Sequence, residues 1–146
     1  MTTFHGTFEH TLDAKNRLTV PSKFRSTLAG SVFLVRGAEP CLSLYPAATY
    51  DAMAQAALAQ MNPLSTQKRE FSRLFYANAM SMELDGAGRI MLPPRFMEHV
   101  RIKSRDVIVA GAGDCLELWD RGTWETYESE LAQRAPDLTA SLGHPA

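Results

Sequence analysis

One sequence motif occurs twice in this chain, and this duplication constrains the fold more than any other feature. Residues 12–25 read LDAKNRLTVPSKFR, and residues 84–97 read LDGAGRIMLPPRFM. A second shared block follows each copy, VFLVRGAEPCLSLY after the first and VIVAGAGDCLELW after the second. Agreement in two successive blocks indicates an internal duplication. We therefore expect a single domain over residues 1–146, with repeats at approximately 4–60 and 79–134 and a helical connection at approximately 47–79.

The repeated motif predicts a β-hairpin. The stretch 3–12 alternates loosely between apolar and polar residues, which is typical of a half-buried strand. Residues 13–16 have turn chemistry, because Asp13 can accept hydrogen bonds from nearby backbone and Asn16 tolerates the left-handed region. In the second copy Gly88 stands in the same turn. Residues 17–20 are then expected to return as the second strand of the hairpin.

A proline follows each predicted hairpin. Pro21 suits the first position of a helix, where its missing N–H is no loss, and Pro93 repeats the device. We expect a helix of about two turns after each proline. Phe24 in the first copy and Phe96 in the second are the expected core anchors of these helices.

The remaining elements are strand pairs and longer helices. Apolar strand pairs are expected at 31–37 with 41–46 and at 106–112 with 115–119. The Ala-rich stretch 47–61 predicts a helix that ends at Asn62-Pro63, and a second helix is expected from Ser65 through Ala79. Aromatic and leucine spacing predicts a last helix over 122–135, and the chain beyond Pro136 is expected to fray.

Neither half is large enough to close a core easily by itself. A unit of about 60 residues buries too little apolar surface to be comfortably stable. Two pseudo-symmetric halves, each contributing one motif hairpin, would interleave into one barrel-like sheet with the helices packed outside. The expected fold class is therefore α+β.

The charges are unevenly distributed although the net charge is only −1. Residues 15–25 hold four bases and no acid, and 101–105 hold three further bases, whereas 114–137 hold seven acids. This distribution predicts a basic face and an acidic face, with ordinary solvated surface as the alternative. No apolar run is long enough to span a bilayer, and the N-terminus lacks a secretory pattern, so we expect a cytoplasmic protein.

We expect neither a metal nor a cofactor. A zinc site needs about four ligands, and the four histidines show no ligand spacing, at His5, His10, His99 and His144. Cys41 and Cys115 occupy equivalent positions before strands, where they are expected to be small buried hydrophobic residues.

The paired motifs closely resemble the DxKGR…P..FR signature of the MraZ family of bacterial transcriptional regulators, which is associated with the division and cell-wall gene cluster. Asp13, Lys15 and Arg17 occupy the first motif, and Asp85 and Arg89 the second. The resemblance covers nearly the whole chain and implies a swapped-hairpin barrel like that of AbrB-type regulators. It also implies ring assembly and DNA binding through the motif. Two departures occur: Asn16 replaces the usual glycine, and Ala87 stands where the first copy has Lys15.

A basic hairpin suits the DNA major groove, which is roughly 12 Å wide. Lys15 and Arg17, two positions apart, are expected to point to the same face, and Arg17 can bind a guanine edge. Asp13 is expected to hold Arg17 and to cap the turn, while Arg17 contacts DNA. The alternative is an Asp13–Arg17 salt bridge that only ties the hairpin together. The expected DNA-binding residues are Lys15, Arg17, Lys23, Arg25 and Arg89. The expected structural residues of the motif are Asp13, Asp85, Asn16, Gly88, Pro21 and Pro93.

The expected partner is double-stranded DNA at the protein's own promoter, in the nucleoid. A head-to-tail ring of about eight or more subunits would present each basic hairpin in the same sense and so read tandem direct repeats. No small-molecule substrate and no membrane contact are expected. Two alternatives remain. One is an antitoxin-type protein-interaction module, and the other is a hydrolase in which Asp13 and Asp85 share a proton.

Overall fold

The computed structural model describes residues 3–142, which form four helices and eight strands. The first half contains β1 (Thr7–Thr11), β2 (Arg17–Thr19), β3 (Ser31–Arg36), β4 (Cys41–Pro46), α1 (Ala47–Ala59) and α2 (Thr66–Ala77). The second half contains β5 (Ala79–Glu83), β6 (Arg89–Met91), α3 (Pro94–Val100), β7 (Asp106–Gly111), β8 (Leu116–Asp120) and α4 (Arg121–Ala140). The fold is mixed α+β, as predicted, and both later strand pairs lie within one residue of the expected ranges.

The strands form a six-stranded antiparallel sheet and a separate two-stranded ribbon. The order in the large sheet is β1-β7-β8-β4-β3-β5, and β2 pairs with β6 in the ribbon. This order is symmetric about the central β8–β4 pair. Each half therefore places its first strand against a strand of the other half, β1 on β7 and β5 on β3. The two halves interleave.

The predicted local hairpin is wrong. Phe8 of β1 lies opposite Val109 of β7, whereas Leu18 of β2 lies opposite Ile90 of β6. After the turn at 13–16, β2 pairs with β6 in the separate ribbon, and its apolar residue Leu18 is buried in the core. In residues 3–142 the large sheet keeps β1 and β5 as its edges, so it does not close into the expected barrel.

The main core lies between the ribbon and the large sheet. Leu18 and Ile90 of the ribbon are 3% exposed and pack with buried leucines and valines of β3, β4, β7 and β8. Phe24 and Phe96 join the same cluster, so both predicted anchors are confirmed. The other face of the large sheet is covered by α4, where Cys41 is buried near Trp119, and by α1, whose Tyr50 packs on Phe33 and Tyr45. Cys41 and Cys115 are both buried and free, as expected of small apolar residues.

The helices differ from expectation in three details. The first post-hairpin helix is a single 3-10 turn at Ser22–Phe24, shorter than the two turns predicted, and Pro21 precedes it as the N-cap. The helix after the second motif, α3, begins with Pro94, and Pro93 is its N-cap. α4 continues through Pro136, so the predicted fraying there is wrong as far as Ala140. Inside a helix a proline removes one backbone hydrogen bond and its ring crowds the preceding turn, and the remaining hydrogen bonds of the 20-residue α4 continue the helix past it.

No helix within residues 3–142 combines the length and apolar character needed to cross a membrane. His144 and the last part of the predicted tail lie outside the described residues.

Candidate nucleic-acid interface

The first motif turn is organised by one carboxylate. Oδ1 of Asp13 accepts the backbone N–H groups of Lys15 and Arg17, both at 2.9 Å. Oδ2 accepts the Nε–H of Arg17 at 2.6 Å. Asn16 completes the turn with φ of 57°, in the left-handed region that asparagine tolerates. The aspartate therefore holds both the turn and the arginine that follows it.

The second turn repeats this geometry. Oδ1 of Asp85 accepts the N–H groups of Ala87 and Arg89, both at 2.9 Å, and Oδ2 accepts the Nε–H of Arg89 at 2.9 Å. Gly88 takes the left-handed position with φ of 76°. The conformation is thus a property of the Asp-to-Arg spacing. It persists although Ala87 replaces the lysine of the first copy.

Both carboxylates are held ionised. Partial desolvation acts to raise the pKa of Asp13, but hydrogen bonds from the Arg17 backbone, its guanidinium and the Lys15 backbone outweigh that effect and lower it. For Asp85 the backbone N–H of Arg89 is the main cause of a lowered pKa. A shared-proton dyad requires one carboxylate with a raised pKa. Each aspartate is instead paired with its own arginine, so this geometry argues against the dyad.

The ribbon brings the two motif arginines onto one surface. Leu18 and Ile90 face the core, so Arg17, Thr19, Arg89 and Met91 share the outer face. In the register Arg17 lies opposite Met91, and Thr19 lies opposite Arg89. We call these four residues the outer ribbon face. Arg17 and Arg89 occupy its opposite ends, each beside its own turn.

The arginines keep donors available at this face. The side chains of Arg17 and Arg89 are 28% and 33% exposed. Each uses Nε for its aspartate. Among residues 3–142 no hydrogen bond occupies the two terminal nitrogens of either guanidinium, so both can still form a bidentate contact.

The other predicted DNA-binding residues are distributed around the face. Lys15 is exposed and lies in the turn before β2. It therefore does not lie on one strand with Arg17, in contrast to the expectation that both side chains point to the same face. The Nζ of Lys23 lies 5.0 Å from the ring centre of Phe8. Arg25 is the last residue of the first motif but lies beside the second turn, where an added Cβ on Gly88 would fall 2.3 Å from its Nε.

Arg105 is a basic residue of this region that was not among the predicted site residues. Its Nη1 donates to the backbone oxygen of Asp13 at 2.6 Å and lies 3.5 Å from the Oδ1 of Asn16. The sequence places Arg105 in a basic cluster with Arg101 and Lys103, but nothing local connects it to a turn 92 residues away. The pairing of β1 with β7 would have revealed it, because Thr11 lies opposite Asp106.

The fold and this surface define a class: an internally duplicated α+β protein that presents a cationic two-stranded ribbon. Residues 3–74 and 75–141 each match the sequence model of the MraZ protein family, which is described as antitoxin-like. The chain belongs to the MraZ family.

Curated relatives agree with this assignment over nearly the full length of both chains. A protein from Lactiplantibacillus plantarum is 40% identical over 139 residues, covering 95% of this chain and 97% of the relative. One from Mycoplasmoides gallisepticum is 35% identical, covering 95% and 96%. One from Symbiobacterium thermophilum is 33% identical over 138 residues, covering 94% and 99%. Each of the three is named "Transcriptional regulator MraZ".

Proposed function

We propose that this protein is a transcriptional regulator that binds double-stranded DNA in a sequence-specific manner and has no catalytic role. The observation that carries the proposal is the outer ribbon face, on which Arg17 and Arg89 lie with their terminal nitrogens available. The names of the relatives support the regulatory role. Two-stranded ribbons are known readers of the major groove, which supports the mode of contact.

The proposed contacts follow from the chemistry of each side chain. A guanidinium oriented by an aspartate can donate two parallel hydrogen bonds to the O6 and N7 atoms of guanine. Lys15, Lys23 and Arg25 would meet phosphates, which position the protein and carry little sequence information. Arg105 would hold the first turn in place and add positive charge beside it. Asp13 and Asp85 would orient arginines, since their own charge repels phosphate.

Apart from Asp13 and Asp85, which pair with the motif arginines, three glutamates of the acidic segment lie away from this surface, which is compatible with a net charge of −1. Glu125, Glu128 and Glu130 lie on α4. That helix packs on the large sheet through Trp124 and Tyr127, on the face opposite the ribbon. A local basic face can attract DNA even when the total charge is slightly negative.

We further propose that the chain assembles head to tail into a ring of about eight or more subunits, as its family resemblance implies. Apolar side chains without cover support an assembly: Leu74 on α2 is 57% exposed and Leu138 on α4 is 47% exposed. These two helices differ in sequence and in length, which suits an interface between unlike surfaces. The symmetric strand order also supports our inference that the chain consists of two repeats joined by helices.

A ring reads DNA differently from a symmetric dimer. Neighbouring subunits present their ribbons in the same sense, so the sites should be tandem direct repeats about one helical turn, roughly 10 bp, apart. Binding several boxes at once would make an array far tighter than a single box. We place these boxes in the promoter of the division and cell-wall gene cluster, bound in the nucleoid.

The test is an electrophoretic shift with DNA from upstream of the protein's own gene, compared with a random duplex of equal length. We expect tight binding to the first and weak, salt-sensitive binding to the second. Footprinting and light scattering on the same complex should give direct repeats and a ring-sized particle. A palindromic footprint on a two-chain species would contradict the ring. Equal weak binding to both duplexes would favour the antitoxin-type interaction module.

A further inference from the structure

An apolar side chain lies among the cations of the outer ribbon face. Met91 is 60% exposed, although it stands on a strand whose neighbouring residue Ile90 is 3% exposed. In the register Met91 is the cross-strand partner of Arg17. Partners on one face of an antiparallel pair have Cβ atoms about 4.5–5.5 Å apart. The methionine is therefore next to the arginine of the first turn.

A single exposed apolar residue is ordinary and needs no explanation by itself. Met91 differs from a scattered surface residue because of its position. It lies on the face that presents the two motif arginines, so a ligand that binds both arginines must cover it as well. A polar edge placed over Met91 would lose its hydration without gaining a partner. The ligand should therefore offer an apolar group at that point.

The position related to Met91 by the internal duplication holds Thr19, which lies opposite Arg89. The two arginine ends of the face are thus chemically unlike: one has a long thioether as its neighbour, and the other a short hydroxyl. The symmetric backbone carries an asymmetric pair of neighbours.

We propose that Met91 is a specificity-determining residue that contacts the C5-methyl group of a thymine beside the guanine read by Arg17. The proposal rests on the proposed function. The thymine methyl is the apolar group that a base pair presents in the major groove. Successive bases along one strand are about 3.4 Å apart, so side chains separated by one cross-strand spacing reach adjacent or next-adjacent bases.

The two side chains have the properties that these two base contacts require. Arg17 is fixed at Nε by Asp13, so its fork has a defined direction. Met91 is unbranched and polarisable, which lets it fill the irregular space beside a methyl group. Thr19 could offer a hydrogen bond or a shorter apolar contact at the other end. The protein would then recognise a box with a defined direction, which a direct repeat requires.

The experiment begins with selection from a pool of duplexes with a random core, using the wild type, Met91→Ala and Met80→Ala. Met80 is the matched control, because it is 40% exposed but lies on the edge strand β5 and not on the ribbon. We expect the wild type and M80A to enrich the same box, with thymine next to guanine. M91A should enrich the guanine without the thymine.

The selected duplex is then resynthesised with deoxyuridine in place of that thymine, which removes only the methyl group. Loss of one methyl contact should weaken wild-type binding about four-fold for each box. The same replacement should not change the affinity of M91A. Met91→Leu should bind the deoxyuridine duplex more weakly than the thymine duplex, as the wild type does. Circular dichroism of each variant excludes misfolding as the cause.

The outcomes separate this inference from the proposed function. Enrichment of an Arg17-dependent box without thymine would overturn the role of Met91 and leave DNA recognition standing. Equal sensitivity of M91A and the wild type to deoxyuridine would overturn that role in the same way. If the wild type enriches no sequence, the proposed function fails, and the role of Met91 fails with it.

Discussion

Asp13 and Asp85 each use one carboxylate for two purposes. One oxygen accepts two backbone N–H groups and closes the turn, and the other accepts the Nε–H of an arginine four residues later. These arginines are partly exposed, and exposed ion pairs contribute little to stability. The main effect of the pairs is therefore to orient the arginine forks. Orientation matters for a bidentate contact, because the donors must match the base edge.

The second turn depends on a glycine. Gly88→Ala would put a side chain at φ of 76°, and its Cβ would fall 2.3 Å from the Nε of Arg25, which donates to the backbone oxygen of Val20. We expect a loss of about 1–2 kcal/mol or more in the free energy of unfolding, measured with urea. Gly86→Ala is the control, because no atom lies within 4 Å of its added Cβ. Equal stability of the two variants would contradict this account of the turn.

The lowered pKa of Asp85 predicts a pH dependence of stability. Its pKa is lower in the folded state than in the unfolded chain, where an aspartate has a pKa of about 3.9. The stabilisation is thus fully present above about pH 4 and is lost as the pH falls through the folded value. Between pH 5 and pH 3 the midpoint temperature of thermal unfolding should decrease more for the wild type than for Asp85→Asn. Asp51→Asn, on α1, should behave like the wild type. An equal decrease in D85N would refute the expectation.

At the scale of elements, the ribbon is both a wall of the core and the candidate interface. Its inward residues pack on the large sheet, and its outward residues carry the cations. Period-two alternation of a strand places these two functions on successive residues. The core thereby fixes which side chains point outward.

Truncation of successive residues should separate the two functions. Leu18→Ala removes a buried side chain and should lower the free energy of unfolding by about 2–5 kcal/mol. Thr19→Ala, one residue along on the exposed side, should change it by no more than about 0.5 kcal/mol. Urea unfolding of both variants provides the measurement. Comparable losses would mean that the ribbon is not packed as described.

Strand pairing explains where sequence reasoning succeeded and failed. Alternation, turn residues and prolines are local signals, so the strands, the turns and the core anchors Phe24 and Phe96 could be predicted. The partners of β1 and β2 could not, because a local hairpin and a swapped one satisfy the same pattern. For the same reason the sequence does not indicate that Arg105 lies beside the first turn or that Arg25 lies beside the second. Their neighbours come from the other half of the chain.

At the scale of the whole molecule, the two interleaved halves form one body with unlike faces. The ribbon covers the core on one side of the large sheet, and α1 and α4 cover the other. A surface that presents Lys15, Arg17 and Arg89 together requires both halves, since the ribbon takes one strand from each. Folding and the formation of the candidate interface are therefore the same event.

Salt dependence should report the charges that contact DNA. Binding of the upstream duplex should weaken steeply with salt, with log K decreasing by about 0.9 per unit of log salt for each phosphate contacted. Lys15→Ala should make this slope shallower by about that amount per site, because Lys15 is exposed in the turn. Lys68→Ala, on α2, is the matched control and should leave the slope unchanged. Identical slopes for the two variants would show that Lys15 does not contact DNA.

The most direct measurement is the affinity of Arg17 variants for the upstream duplex, determined by fluorescence anisotropy. Arg73→Ala, on α2, is the control. Asp13 still closes the turn without Arg17, so Arg17→Ala should keep the wild-type circular dichroism. We expect it to lose about 1–3 kcal/mol of specific binding at each box. Arg17→Lys should recover little, because an ammonium lacks the planar fork. Wild-type affinity of a correctly folded R17A would contradict recognition of DNA by the outer ribbon face.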